Sequence, residues 1–132
     1  MRIYITHCSA RKSDSARRKG RAVRPDVLYT SQRTQRFMRR CRERGVRWAI
    51  VSDEYGVWFP PERRHWYEKS PDQVSEAEFR RLVANFDRRL RRFREIRFYY
   101  HPGRFHWRYG RLLRATGLRH RIRRFRHLTE IA

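Results

Sequence analysis

The sequence predicts an α/β domain: a mainly parallel sheet of about four strands flanked by helices, filling residues 1–132 as a single unit. Three observations predict it. Short β-branched apolar runs alternate with segments of helical periodicity in the order β, loop, α, β, long loop, α, β, α, β. The polar residues that interrupt this pattern follow the strands rather than precede them, as in open parallel sheets, whose ligand crevice lies beyond the carboxyl ends. Finally, 132 residues hold one core, burying roughly two thirds of the surface of the unfolded chain.

Arg2 to His7 alternates, with Ile3 and Ile5 on one face and Tyr4 and Thr6 on the other, and reads as the first strand. From about residue 10 to 26 apolar periodicity disappears, and a basic, mobile loop is expected, carrying Arg11, Lys12, Arg17, Arg18, Lys19, Arg21 and Arg24. Thr30 or Ser31 then caps a helix that runs through Arg44, with Phe37, Met38 and Cys41 inward and Gly45 as its stop. Val46 to Ser52 has the nearly unbroken apolar character of an interior strand. A long segment from Val57 to Asp72 combines Pro60, Pro61 and Pro71 with Trp58, Phe59, Trp66 and Tyr67 and is expected to be irregular.

The clearest helix is predicted from about Glu76 to Arg94. Ser75 and Glu78 form a Ser-x-x-Glu capping box, and Phe79, Leu82, Val83, Phe86, Leu90 and Phe93 fall on one stripe. Ile96 to Tyr100 reads as a third strand ended by His101-Pro102-Gly103, and Phe105 to Thr116 as a helix stopped by Gly117. Arg121 to Leu128 alternates imperfectly around Ile122 and Phe125 and is assigned as a short fourth strand.

Charge is the outlying quantity. The chain has 35 Lys+Arg against 13 Asp+Glu, a formal net charge of +22, and only three of its cations are lysines: Lys12, Lys19 and Lys69. A surface so charged repels itself and is most easily tolerated beside a polyanion such as tRNA or DNA. A genome biased toward arginine would produce the same excess with no nucleic acid involved. No apolar run approaches the roughly 20 residues that span a bilayer, so no membrane partner is expected and a cytoplasmic location is. Cys8 and Cys41 make no disulfide framework. The six histidines lack ligand spacing, and no Walker or GxGxxG loop is present, so no metal and no cofactor are expected.

The strand ends carry the chemistry. Cys8-Ser9-Ala10-Arg11-Lys12 follows the first strand directly. A thiol beside cations has a lowered pKa and can act as a nucleophile, and lysine serves as nucleophile or phosphate ligand. The alternative for Cys8 is a buried small hydrophobe, and for Lys12 an exposed loop charge. Ser52-Asp53-Glu54-Tyr55-Gly56 ends the second strand, where Asp53 is a candidate acid or base or else an arginine partner. Candidate catalytic residues are therefore Cys8, Lys12 and Asp53, and candidate substrate-binding residues Ser9, Ser52, Tyr55, Gly56 and His101. Arg11, Arg17, Arg18, Lys19, Arg63, Arg64, Arg104 and Arg108 are candidates for holding nucleic acid, with Trp58, Trp66, Tyr67, Trp107 and Tyr109 interleaved for base stacking or for core packing.

Cys8-x-x-x-Lys12, then Leu28-Tyr29-Thr30-Ser31 with Phe37, then Ile50-Val51-Ser52-x-x-Tyr55-Gly56-Val57 resembles a group of small domains. These begin with a strand and Cys-Ser-x-x-Lys, continue with Leu-Tyr-x-Ser and Ser-x-x-Tyr-Gly-Leu, and are mostly of unknown function. The resemblance covers roughly residues 1 to 70. A similar Cys-x-x-x-Lys domain occurs in archaeosine synthase, which acts on a 7-deazaguanine base in tRNA. Here His7, Ser13-Asp14, Arg17 and Gly20 stand where that enzyme has Pro, Pro-Tyr, Ser and His, so only Cys8 and Lys12 carry over. The resemblance implies a nucleic-acid-associated domain in tRNA or DNA base modification, of the 7-deazaguanine type. A noncatalytic binding or partner subunit of a larger complex, and a small-ligand enzyme with no nucleic acid, are the alternatives.

Overall fold

The computed structural model describes residues 1–132 and is an α/β sandwich of three layers. Its strands are β1 (Arg2–His7), β2 (Trp48–Ser52), β3 (Gly56–Trp58), β4 (Glu95–Tyr99) and β5 (Ile122–Phe125). They form one sheet in the order β3-β2-β1-β4-β5, in which β1 pairs in parallel with both β2 and β4, β4 pairs in parallel with β5, and β3 runs antiparallel to β2. The sheet therefore has five strands, one more than the hydrophobic pattern predicts. The extra strand is the three-residue Gly56–Trp58, a hairpin return too short to carry a periodic signal of its own.

Its helices are α1 (Asp14–Lys19), α2 (Pro25–Leu28), α3 (Gln32–Arg44), α4 (Glu76–Leu90) and α5 (Trp107–Ala115). Alternation along the strands divides the core in two. Ile3, Ile5, Ala49, Val51, Ile96 and Phe98 face Phe79, Phe86 and Leu90 of α4 and Leu112 and Leu113 of α5. Tyr4, Trp48, Ile50, Tyr99 and Phe125 face Phe37, Met38 and Cys41 of α3, with Ala16 and Leu28 beside them. Because both faces are covered, every residue of β2 is buried, which is why its sequence reads as one apolar run. At the edge, β5 exposes Arg123 and Arg124, so its alternation is incomplete.

Local signals place the helix ends. Ser31 accepts from the Thr34 amide and Gly45 closes α3 at φ 62°, a left-handed conformation that suits glycine. Ser75 and Glu78 form the reciprocal capping box of α4. That helix stops at Leu90 rather than continuing to Arg94; Phe93 follows it in a turn and still reaches the core, 1% exposed. Residues 10–26, predicted as a basic mobile loop, instead hold α1 and the first half of α2 and are fastened at both ends. Ser13 N donates to Leu28 O and Thr30 N to Arg11 O, while Val23 and Arg64 exchange two backbone bonds of 2.8 Å. Arginine-rich segments with one buried alanine give no apolar stripe, so composition alone conceals this order. No helix is long and apolar enough to cross a membrane.

Candidate functional site

The topology locates the site. From β1 the chain leaves over the α3 face toward β2, whereas from β4 it leaves over the α5 face toward β5. Neighbouring loops at the carboxyl ends of β1 and β4 thus diverge to opposite faces and open a crevice between them. A cleft of about 950 Å³ lies there, lined by His7 to Lys12 at the end of β1, Asp53 after β2, Glu68 to Pro71 and Gln73 after β3, Arg104, His106 and Tyr109 after β4, and Arg33 and Arg36 from α3.

Its floor is a bonded cluster. The Cys8 thiol donates to Asp53 Oδ2 at 3.2 Å, Tyr109 Oη donates to the same oxygen at 3.1 Å, and Cys8 Sγ and Tyr109 Oη lie 3.5 Å apart. Both donors fall on Oδ2, no protein group donates to Oδ1, and Asp53 is among the residues lining the cleft. Burial raises the Asp53 carboxyl above its usual range, against the two donors that lower it. Burial and the neighbouring Asp53 charge push the Cys8 thiol up to about 12. This is the opposite of the lowered pKa expected from nearby cations, because Cys8 is 6% exposed and faces a carboxylate rather than an arginine.

His7 stands beside this cluster. Its ring stacks on Tyr109 with centroids 4.5 Å apart, and an Arg33 guanidinium nitrogen donates to Nε2 at 2.8 Å. Since Arg33 can only donate, Nε2 is the acceptor and the ring proton sits on Nδ1, which donates to Cys8 O at 2.8 Å. Burial holds His7 neutral, with a pKa lowered to about 4. The same burial lowers the Arg33 pKa, aided by the positive charge of Arg104.

The rim is cationic. Arg11, Lys12, Arg33, Arg36, Lys69 and Arg104 line the cleft against two carboxylates, Asp53 and Glu68. None of the four arginines has a carboxylate within ion-pair distance. Arg33 and Arg36 moreover occupy the beginning of α3, where the helix dipole disfavours cations and no acidic residue offsets them. Lys69 is engaged by Glu78 and, at 3.8 Å, Glu54. Lys12 Nζ lies 4.6 Å over the Tyr67 ring and 3.4 Å from Ala10 O.

Of the residues singled out from sequence, Cys8, Ser9, Arg11, Lys12, Asp53 and Arg104 meet in this cleft. Ser9 Oγ is buried there without a partner. The other ten candidate catalytic, substrate-binding and nucleic-acid-holding residues lie elsewhere. Ser52 is wholly buried and accepts from the amides of Glu54 and Tyr55, closing the β2–β3 turn. Tyr55 donates to His65 O, and Gly56 begins β3 at φ 75° against Asn85. His101 accepts from the Gly103 amide as a turn cap, outside the cleft. Arg17, Arg18 and Lys19 form the last turn of α1; Arg63 and Arg64 lie in the long connection, Arg64 stacked on Tyr55; and Arg108 stacks on Trp107. Sequence reasoning missed Arg33 and Arg36 as site residues, and offered Tyr109 for base stacking or core packing rather than as a partner of Asp53. The arginines carried one legible signal, their place just after the Ser31 cap; the bond from Tyr109 to Asp53 carried none, because its spacing is that of a core residue.

No group of three His, Cys, Asp or Glu side chains converges to hold a metal ion. Comparison of the chain with protein-family models, with curated proteins and with solved structures finds no match.

Proposed function

We propose that the domain binds tRNA or DNA at a base-modification step, taking one base into the strand-end cleft and holding the adjoining backbone on the cleft's arginines. The observation that carries this reading is the pairing of an arginine rim free of carboxylate partners with a buried polar floor whose Asp53 Oδ1 is unengaged. Phosphates satisfy the rim, and an N–H on the edge of a base satisfies the carboxylate. The resemblance to Cys-x-x-x-Lys domains adds the modification theme and the 7-deazaguanine class of base. In this reading Lys12 is the reactive cation, Asp53 positions the base, and Cys8 supports Asp53 as a thiol.

A noncatalytic subunit is the second reading, and one observation favours it: a thiol pushed up to about 12 is no nucleophile at neutral pH. Binding of bulk tRNA, single-stranded DNA and duplex DNA, measured against salt, tests what both readings share. The logarithm of affinity is expected to fall linearly with the logarithm of salt concentration; a flat response sinks the polyanion. Intact-mass analysis after incubation with bulk tRNA and 7-deazaguanine bases then separates the two. A covalent adduct selects the enzyme, and salt-dependent binding without one selects the subunit. Within the enzyme reading, Lys12→Arg keeps the charge and is expected to abolish modification.

A further inference from the structure

The strand-end cleft has a neighbour. A second hollow, of about 700 Å³, is lined by Ala10 to Asp14, Thr30 and Trp66, and it shares Ala10, Arg11 and Lys12 with the first. The two adjoin at those three residues, a trough of two hollows whose lining residues run from Trp66 past Lys12 to His106 and Tyr109. An indole beside a guanidinium lies at each end, Trp66 within the lining and Trp107 next to His106 in the chain. At one end Arg17 lies 4.5 Å over the half-buried Trp66 ring. At the other, Trp107 follows His106 directly and is 57% exposed, the only Phe, Tyr or Trp of the chain with so open a side chain.

Trp107 is held rather than loose. His106 caps α5 by accepting from the Arg108 amide and bonds Asp72 through Nε2 at 2.8 Å, while its ring stacks on the indole at 5.6 Å. Arg108 lies 4.9 Å from the same indole. Core packing accounts for the remaining aromatics of this region, since Trp58, Tyr67 and Tyr109 are all buried. It does not account for Trp107, which stays 57% exposed next to His106, a residue of the cleft lining.

Resting on the nucleic-acid reading above, we infer that the trough takes a single-stranded segment: one base enters the cleft toward Asp53, and the flanking bases stack on Trp66 and Trp107. A duplex fits poorly for two reasons. Its bases offer no free face to an indole except at the ends, and a paired base does not reach Asp53, which is 6% exposed at the cleft floor. An acidic polypeptide would satisfy the arginines but has no use for an indole at each end.

The test is fluorescence anisotropy with labelled dodecamers at one fixed salt concentration: an RNA strand, a DNA strand, an abasic sugar-phosphate strand and a duplex, with polyglutamate as competitor. Base-bearing strands are expected to bind about ten-fold or more tightly than the abasic strand, and more tightly than the duplex. Trp107→Ala is expected to weaken base-bearing strands by roughly 5- to 100-fold and leave the abasic strand unchanged, with Trp107→Phe retaining most of the affinity. Trp66→Ala acts in the same direction. Equal losses for both kinds of strand, no loss, a duplex bound as well as a single strand, or polyglutamate competing as well as RNA each overturn the inference. Failure of every nucleic acid to bind overturns the functional reading itself, whereas salt-dependent binding indifferent to bases overturns only the stacking. The RNA and DNA arms identify which strand the trough prefers.

Discussion

Cys8 and His7 are adjacent in the chain, and both are held uncharged by burial. Thiol alkylation of Cys8 is therefore expected to be slow at pH 7 and to rise only toward pH 12. Asp53→Asn replaces the neighbouring negative charge by a neutral amide, so it is expected to lower the Cys8 pKa and speed alkylation at a given pH; an unchanged rate contradicts the coupling. For His7 the sign follows from its depressed pKa. The unfolded chain takes up a proton near 6.5 and the folded one only near 4, so stability is complete above 6.5 and is lost as pH falls through that window, by about 3 kcal/mol. Asp53, raised by burial, works in the opposite sense just above its usual range, so Asp53→Asn steepens the acid loss seen in urea titrations at pH 4 to 7. That Cys8 and Lys12 border a crevice was legible from their place after a strand. That Asp53 would turn its charge on Cys8 was not, because the two are 45 residues apart.

At the scale of elements, periodicity and caps carried most of the information. The Ser75–Glu78 box and the Phe79, Phe86, Leu90 stripe specify α4 without tertiary knowledge, since each signal lies within the helix. Ser75→Ala is expected to cost about 1 kcal/mol, and Phe86→Ala, at a wholly buried ring, about 3–5 kcal/mol, both measurable by denaturant unfolding. What stayed hidden was β3, a return held by its neighbours, and α1 and α2, which have local caps or a leading proline but no apolar stripe. Gly56 illustrates the point. Its left-handed φ of 75° starts β3, Asn85 of α4 bonds the next amide at 2.8 Å, and an added Cβ would collide with that Asn85 side chain. Gly56→Ala is expected to destabilise by about 1–3 kcal/mol, with the hairpin exchanging amide hydrogens faster than α4; protection equal to wild type counts against the clamp.

For the whole molecule, charge is the governing quantity. With 35 cations and 13 anions, most arginines cannot have a carboxylate partner, and the fold carries an unrelieved repulsion. Melting temperature is expected to rise as salt is added, and to rise further with a polyanion such as bulk tRNA at low salt, each ~1 kcal/mol of relief adding about 4 °C. A melting temperature indifferent to both removes the argument that this surface wants a polyanion. The fold class was legible because its α/β alternation is written along the chain; the shape of the cleft was not, because it is assembled from loops after four different strands and the first turns of α3 and α5.

The central position of β1 has a consequence for how the protein is made. β1 leaves the ribosome before either of its neighbours, so one side of the strand finds its partner only when β2 has emerged, and the other only when Glu95 to Tyr99 follow. Until then the future middle of the sheet is an open edge of Ile3, Tyr4 and Ile5. During synthesis the chain therefore passes through a period in which one of its most buried segments is exposed and adhesive.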